Sequence, residues 1–265
     1  MNNLFSRILI LTLLYSFSAI ASEPGAPFPD SKQCAVTFSI DDGFWESSKQ
    51  MADILDRYQI KATFNLVTHW VAPMKTAEIG DGYNEGASHG TWAQWKTILD
   101  RGHEIGSHSC THPALPTIDA EDALGEITES KQILINELGL QEPITFGYPY
   151  NQASPTIKQM VAGHYLSARI GGKPFNVIGS IDLQAINSWW PLSDTPLEEI
   201  IAKIDEAKAN GHWLVIGLHG MNDEGWNPIT PQKFEGVCKY LASDDAIWTA
   251  TFKEMSLRLK ERQDN

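Results

Sequence analysis

Residues 34–43 read CAVTFSIDDG. Seven residues rich in β-branched and aromatic side chains are followed at once by two carboxylates and a glycine. Such a run predicts a strand, and the acidic pair falls just beyond its C-terminal end. Read outward from there, the chain repeats one rhythm. Residues 46–58 carry Met51, Ile54, Leu55 and Tyr58 at i, i+3, i+4 and i+7, which is one face of a helix. Residues 61–67 (KATFNLV) predict the next strand, 91–100 a helix and 103–107 a short strand. Residues 120–138 predict a long helix ended by Gly139, and 144–148 a strand. The second half continues with a helix over 154–162 and strands over 165–170 and 182–186. The helix over 197–210 has Leu197, Ile200, Ile201, Ile204 and Ala207 on one face and Gly211 as its cap. Residues 213–218 (WLVIGL) are almost wholly apolar, as expected of a strand covered on both sides. A helix over 231–242, a strand over 247–251 and a helix over 252–262 complete the series. This alternation predicts one α/β domain with a parallel sheet and helices outside, either a barrel or a doubly wound open sheet. Residues 71–90 break the pattern, with five glycines or prolines and little periodicity, and loops of that length are usually functional or disordered.

The composition of the 265-residue chain is that of an ordinary globular protein, 42% hydrophobic and 20% charged, which excludes collagen-like, coiled-coil and disordered classes. Twenty Lys and Arg against 33 Asp and Glu give a formal charge of −13. Nucleic acid is an unsuitable partner for such a surface, because neutralising phosphates requires cations. Residues 1–21 have the pattern of a secretory signal: one early positive charge, an apolar run over 8–20 and a small-x-small end at Ala19-Ile20-Ala21. The expected organisation is a signal over 1–21, an arm over 22–33 and one catalytic domain over 34–265. The expected destination is the periplasm or the exterior, without a membrane anchor after cleavage. Three cysteines leave at least one thiol unpaired within the chain, and Cys34 with Cys238 is a possible pair.

Ionisable and aromatic residues gather after the predicted strands: Asp41-Asp42-Gly43, then His108-Ser109-Cys110-Thr111-His112-Pro113, then Gly147-Tyr148-Pro149-Tyr150-Asn151, then His219-Gly220. In parallel α/β folds that end of the sheet carries the active site. Each signal alone is ordinary; an Asp-Asp-Gly is commonly a turn, and His219 ends a buried strand. Together they supply one carboxylate and two imidazoles, a donor set suited to zinc with a fourth position for water. A second carboxylate is then available as a general base, and a further histidine as a general acid.

In order and spacing these motifs resemble the polysaccharide deacetylase family, the NodB-homology domain of carbohydrate esterase family 4. The family's T-F-D-D-G corresponds to Thr37-Phe38-Ser39-Ile40-Asp41-Asp42-Gly43, with two residues inserted. Its H-[ST]-x-x-H-P is matched in full by residues 108–113, and its L-x-L-H by Ile216-Gly217-Leu218-His219. The resemblance implies a distorted (β/α)7 barrel that removes acetyl groups from an acetylated glycan with one divalent ion, zinc before others. It implies Asp41 as base, Asp42, His108 and His112 as metal ligands, His219 as acid and the Tyr150 backbone N–H as an oxyanion donor. Two supports depart from the family. Its third motif opens on an Arg that pairs with the catalytic Asp, and Gly147 stands there. Its fourth offers an Asp before a Trp, and Asn187-Ser188-Trp189-Trp190 has none. Arg169 is the only Arg between Arg101 and Arg258, and it is expected to reach Asp41 in place of the missing one. Nine tryptophans suit sugar stacking, and Trp190, Tyr148 and Trp226 are the expected substrate contacts. A metal-independent glycosidase and a non-catalytic glycan-binding relic are the competing functions.

Overall fold

In a computed structural model, which describes residues 27–29, 31–73 and 87–264, nine strands and seven α-helices alternate. The strands are β1 Cys34–Ile40, β2 Thr63–Leu66, β3 Glu104–Ser107, β4 Phe146–Gly147, β5 Ala168–Gly171, β6 Phe175–Val177, β7 Ile186–Ser188, β8 His212–Leu218 and β9 Ile247–Thr249. The helices are α1 Trp45–Arg57, α2 Trp92–Asp100, α3 Ala120–Leu138, α4 Pro155–Ala162, α5 Leu197–Asn210, α6 Pro231–Ala242 and α7 Phe252–Asp264. The expected signal, and most of the loop over 71–90, lie outside the described residues.

Seven strands run parallel in the order β8-β1-β2-β3-β4-β5-β7. The ring then closes on itself. Trp189, just past β7, donates to Val215 O at 2.8 Å and accepts from Gly217 N at 2.8 Å, both on β8. This is the expected (β/α)7 barrel, and an open doubly wound sheet is excluded. The distortion has a visible source. Antiparallel β6 takes the N-terminal half of β8, leaving Trp189 only the C-terminal half. In the same way β9 pairs with Cys34–Val36 of β1, while β2 pairs with Ser39 and Ile40.

Local chemistry explains the helix bounds. Thr91 caps α2 in a reciprocal box with Gln94. Gly139 and Gly211 end α3 and α5 in the left-handed region, at φ 68° and 66°. Two strand expectations need correction. Residues 182–185 form a turn, and the strand follows at β7. Tyr165 is not in a strand; β5 begins at Ala168, and the Tyr165 hydroxyl is buried against Ser130 and Ile127 O.

Inside and around the ring, Trp95 and Trp213 are fully buried, and Trp45, Trp70 and Trp92 are buried as well. Phe28 of the arm is buried in the cluster containing Phe252 and Met255 of α7, where Arg258 donates to Pro27 O and Phe28 O. All three cysteines are buried free thiols, so Cys34 and Cys238 do not pair, and burial pushes each up to about 12. No helix among the described residues is long and apolar enough to cross a membrane.

Candidate active site and metal centre

The C-terminal ends of the barrel strands converge on one cleft of about 440 Å³. β1 delivers Asp41 and Asp42, β3 delivers His108, and β8 delivers His219. Backbone bonds carry the sheet ladder one residue further at each place: Asp41 N donates to Leu218 O at 2.9 Å, and His108 N to Leu66 O at 2.9 Å. Beyond them the chain turns sharply. Five of the eight non-glycine residues described at positive φ lie here: Asp42, Ser109, His112, Tyr150 and Asn151. Backbone strain of this kind persists where the surroundings over-determine it, and it gathers at functional sites.

Asp42, His108 and His112 face one another. Both Nε2 atoms lie 3.6 Å from the same Asp42 oxygen, Oδ1. His108 Nδ1 is 2.7 Å from Gly147 O, so it carries the proton and donates it there, which turns the Nε2 lone pair into the cleft. Burial holds the His108 imidazole well below its ordinary range, with the Arg169 charge acting in the same sense. Burial also lowers His112 to about 3. Two neutral imidazoles and a carboxylate within 4.8 Å of one another are the donor set of a divalent ion with nitrogen and oxygen ligands. The fixed His108 tautomer is the outer support that such ligands have. The residues therefore fit a metal.

Asp41 is 2% exposed and is held at both oxygens. Asn65 donates to Oδ1 at 2.8 Å, and the Arg169 guanidinium forms a buried ion pair with Oδ2. Arg169 also donates to Asn151 Oδ1 and stacks under Trp190, with its Cζ 5.0 Å from the ring. His219 is lowered to about 4 by burial, with a hydrogen bond to the Trp226 backbone pulling the other way. Its Nε2 lies 3.9 Å from Asp42 Oδ2. Among the described residues its only ion-pair partner is that carboxylate. Trp190 stacks on it at 4.8 Å and Trp226 meets it edge-on at 5.8 Å.

Among the expected substrate contacts, Trp226 is exposed at the rim; so is the side chain of Tyr150, the expected oxyanion donor, whose ring stands 4.5 Å from His112. Trp190 is a half-buried wall. Its indole N–H donates to Ser188 Oγ at 2.9 Å, and the missing β-carbon of Gly217 makes room for its ring. Tyr148 lines the cleft with a buried side chain, and its hydroxyl donates to Gln184 O at 3.1 Å. Cys110 is not with the Asp42 ligands. It groups with His69 and Glu129, and its thiol donates to Glu126 O at 3.6 Å. His89 is behind the site, with Nδ1 2.9 Å from Asp42 O and its ring between Phe44 and Trp70. Sequence reasoning missed Asn65 and Asn151. A polar residue inside the apolar run KATFNLV was the available signal for the first.

The family model described as polysaccharide deacetylase matches residues 29–167, just over half of the chain. A bifunctional xylanase/deacetylase of Pseudobutyrivibrio xylanivorans is 27% identical over 154 residues, covering 58% of this chain and 22% of that protein. A chitin deacetylase of Pestalotiopsis is 27% identical over 139 residues, covering 51% of this chain and 41% of that one. The chain thus spans less than half the length of the curated relatives it matches. Among solved structures, the peptidoglycan deacetylase PdaC of Bacillus subtilis superposes with a TM-score of 0.56 at 17% identity, covering 88% of this chain and 95% of that one. The barrel is shared with these structures, and the chain belongs to the polysaccharide deacetylase family.

Proposed function

From membership in the polysaccharide deacetylase family, we propose that this chain is a metal-dependent hydrolase that removes acetyl groups from a carbohydrate. The observation that carries the reading is the Asp42, His108 and His112 donor set beside a second carboxylate, Asp41, that is clamped at both oxygens. A family member with those two groups converging in one cleft has the parts for acyl hydrolysis.

Asp42, His108 and His112 would hold the ion, and zinc is the ion their donor types suit best. When bound it supplies Lewis-acid polarisation of the acetyl carbonyl and a more acidic water. Asp41 takes the proton of the attacking water. Asn65 and Arg169 hold that carboxylate aimed until it does so. The Tyr150 N–H, at the tight turn after β4, is the proposed donor to the carbonyl oxygen as negative charge develops on it. His219, facing the same carboxylate cluster, gives a proton to the departing sugar nitrogen or oxygen, and the proton that Asp41 took from the water replaces it, so that none is gained or lost. Trp226 offers the open aromatic face for a sugar ring, and Trp190 closes the wall beneath it. The substrate is an acetylated glycan, N- or O-linked. Residues 1–21 are proposed to export the chain, and 34–265 to be its catalytic domain.

Acetate release tests the reading. Soluble chitooligosaccharide and acetylated xylan should yield acetate with the purified protein. A chelator should abolish the release, and zinc should restore it. Shortened sugars released without acetate, and undiminished by chelation, would return the metal-independent glycosidase to the front, and neither acetate nor shortened sugar from any acetylated glycan would favour the relic.

A further inference from the structure

Ser109 and His112 lie at φ 68° and 66°, so the chain turns sharply before and after Cys110. His108 and His112 line the cleft, while Cys110 is buried away from it against His69 and Glu129. Three elements supply this second group. His69 comes from the turn Thr68–Trp70 after β2, Cys110 from the loop after β3, and Glu129 from α3. Their frame is tied by bonds that need no ion. Thr68 N donates to Ser109 O at 3.1 Å and His69 N to Cys110 O at 2.9 Å. One turn before Glu129 on α3, the Glu126 carboxylate accepts from Cys110 N and Thr111 N, both at 2.8 Å. The thiol, imidazole and carboxylate donors all lie within 4.8 Å of one another. Their spacing is wider than that of hydrogen bonds. His69 Nε2 is 3.6 Å from Glu129 Oε1, whereas a charge-assisted N–H···O bond is about 2.7–2.9 Å. Zinc bonds to nitrogen and oxygen are about 2.1 Å, which sets tetrahedral ligands about 3.4 Å apart. Asp42 Oδ1 and the two imidazoles of the cleft show the same 3.6 Å. The group is reached from solvent, because the Glu129 side chain is 60% exposed and that of His69 19%.

We propose that His69, Cys110 and Glu129 form a second metal site, for zinc or a comparably thiophilic divalent ion, with water in the fourth position. Its ion braces the loop between His108 and His112 from behind. A thiolate and a carboxylate together balance the charge of a divalent ion, and the exposed Glu129 side chain closes the remaining distance by rotation. The thiol gives its proton to solvent as it coordinates, and its weak bond to Glu126 O, at 3.6 Å, is given up for the metal–sulfur bond. The sulfur ligand makes this site chemically unlike the cleft, whose donors are nitrogen and oxygen. The inference goes beyond the deacetylase reading and does not depend on it.

Cobalt(II) is the probe, added to the reduced full-length protein. A thiolate bound to cobalt gives a near-ultraviolet charge-transfer band, which the imidazoles and carboxylate of the cleft do not produce. Wild type should take up two ions per chain and show the band. Asp42→Asn, which disables the cleft alone, should keep the band and one ion. Cys110→Ser should lose the band and keep the cleft ion. Glu129→Gln, on an exposed face of α3, should weaken the affinity read from the band by at least about tenfold, since even an outer support of a metal site is worth that much. In Asp42→Asn, zinc at about a hundredfold excess over its Kd should raise the thermal midpoint by roughly 5–10 °C, and adding Cys110→Ser should cancel the rise. A wild type without the band overturns the proposal. So does a band that survives in Cys110→Ser, which would belong to Cys34 or Cys238, and so does a zinc-induced rise that survives there. If Cys110→Ser does not fold, Glu129→Gln and His69→Gln decide, and unchanged cobalt affinity in both overturns the site. Neither readout uses turnover, so a wild type that releases no acetate would count against the deacetylase reading alone.

Discussion

Asp41 and Asp42 are adjacent in the chain, share His108 as a neighbour and differ in the rest of their company. Asp41 meets amide and guanidinium donors, Asn65 at one oxygen and Arg169 at the other, and keeps lone pairs for a proton. Asp42, turned by a φ of 71°, meets the lone pairs of neutral imidazoles. His108 Nε2 lies beside both carboxylates, 3.5 Å from Asp41 Oδ2 and 3.6 Å from Asp42 Oδ1, so it is the Asn65 and Arg169 donors on Asp41 that assign different work to the two. Asp41→Asn should keep zinc and lose turnover by about 100- to 10,000-fold, the usual worth of a general base. Asp42→Asn should lose both, because two imidazoles hold zinc poorly. Zinc titration by calorimetry alongside acetate release separates them, and the reverse pattern would exchange their roles. The pair and the two histidines were legible because motif order and spacing sit in the linear sequence. Arg169 was legible by scarcity, as the only arginine available to the second half before the last helix. Asn65 and Asn151 were not, since nothing in a strand or a turn says which distant carboxylate a side-chain amide will meet.

At the scale of elements, the join between the end of β7 and β8 carries both the closure of the ring and the seat of His219. Trp189 makes the backbone closure, and Trp190 lies flat in the space that Gly217 leaves open. Gly217→Ala would place a methyl group inside the Trp190 indole. It is expected to destabilise the fold by roughly 1–3 kcal/mol, the usual cost of overpacking, and to lower turnover by displacing Trp190 from His219. Urea unfolding gives the first quantity. An unchanged midpoint would mean that Trp190 is not seated as described. Helices α3, α5 and α6 were legible to the residue, because a long apolar period is bounded by a glycine cap or a Thr-Pro start. Strands were legible as a rhythm but not in extent. β4 is two residues long, and the three residues of β6, Phe175-Asn176-Val177, show no period that a sequence could reveal. What holds β6 is tertiary: Asn176 accepts from Asn187 N at 2.8 Å and donates to Asn187 O at 2.9 Å.

For the molecule as a whole, the buried histidines set the response to acid. The sequence suggested a barrel, but whether the sheet closes depends on a bridge between residues 189 and 216, a contact that local patterns do not encode. The same closed packing desolvates imidazoles far from the cleft. His103 is buried against α1 and β2, where its Nδ1 accepts from Ala62 N at 3.2 Å and its Nε2 lies 3.3 Å from Asp56 Oδ1. Protonation at Nδ1 would remove the acceptor that Ala62 needs. Burial lowers His103 to about 4, against an unfolded value near 6.5. The unfolded chain therefore binds a proton that the folded chain refuses between those two values. Stability then rises with pH across that window and is lost as pH falls from about 6.5 toward 4. His112 and His219, lowered to about 3 and about 4 in the metal-free protein, act in the same direction. His103→Asn keeps an acceptor for Ala62 and cannot titrate. Urea unfolding of the metal-free protein at pH 7 and pH 5 should show the variant losing about 2 kcal/mol less than wild type over that interval. Equal losses in the two proteins would place the acid sensitivity elsewhere, in the imidazoles of the cleft.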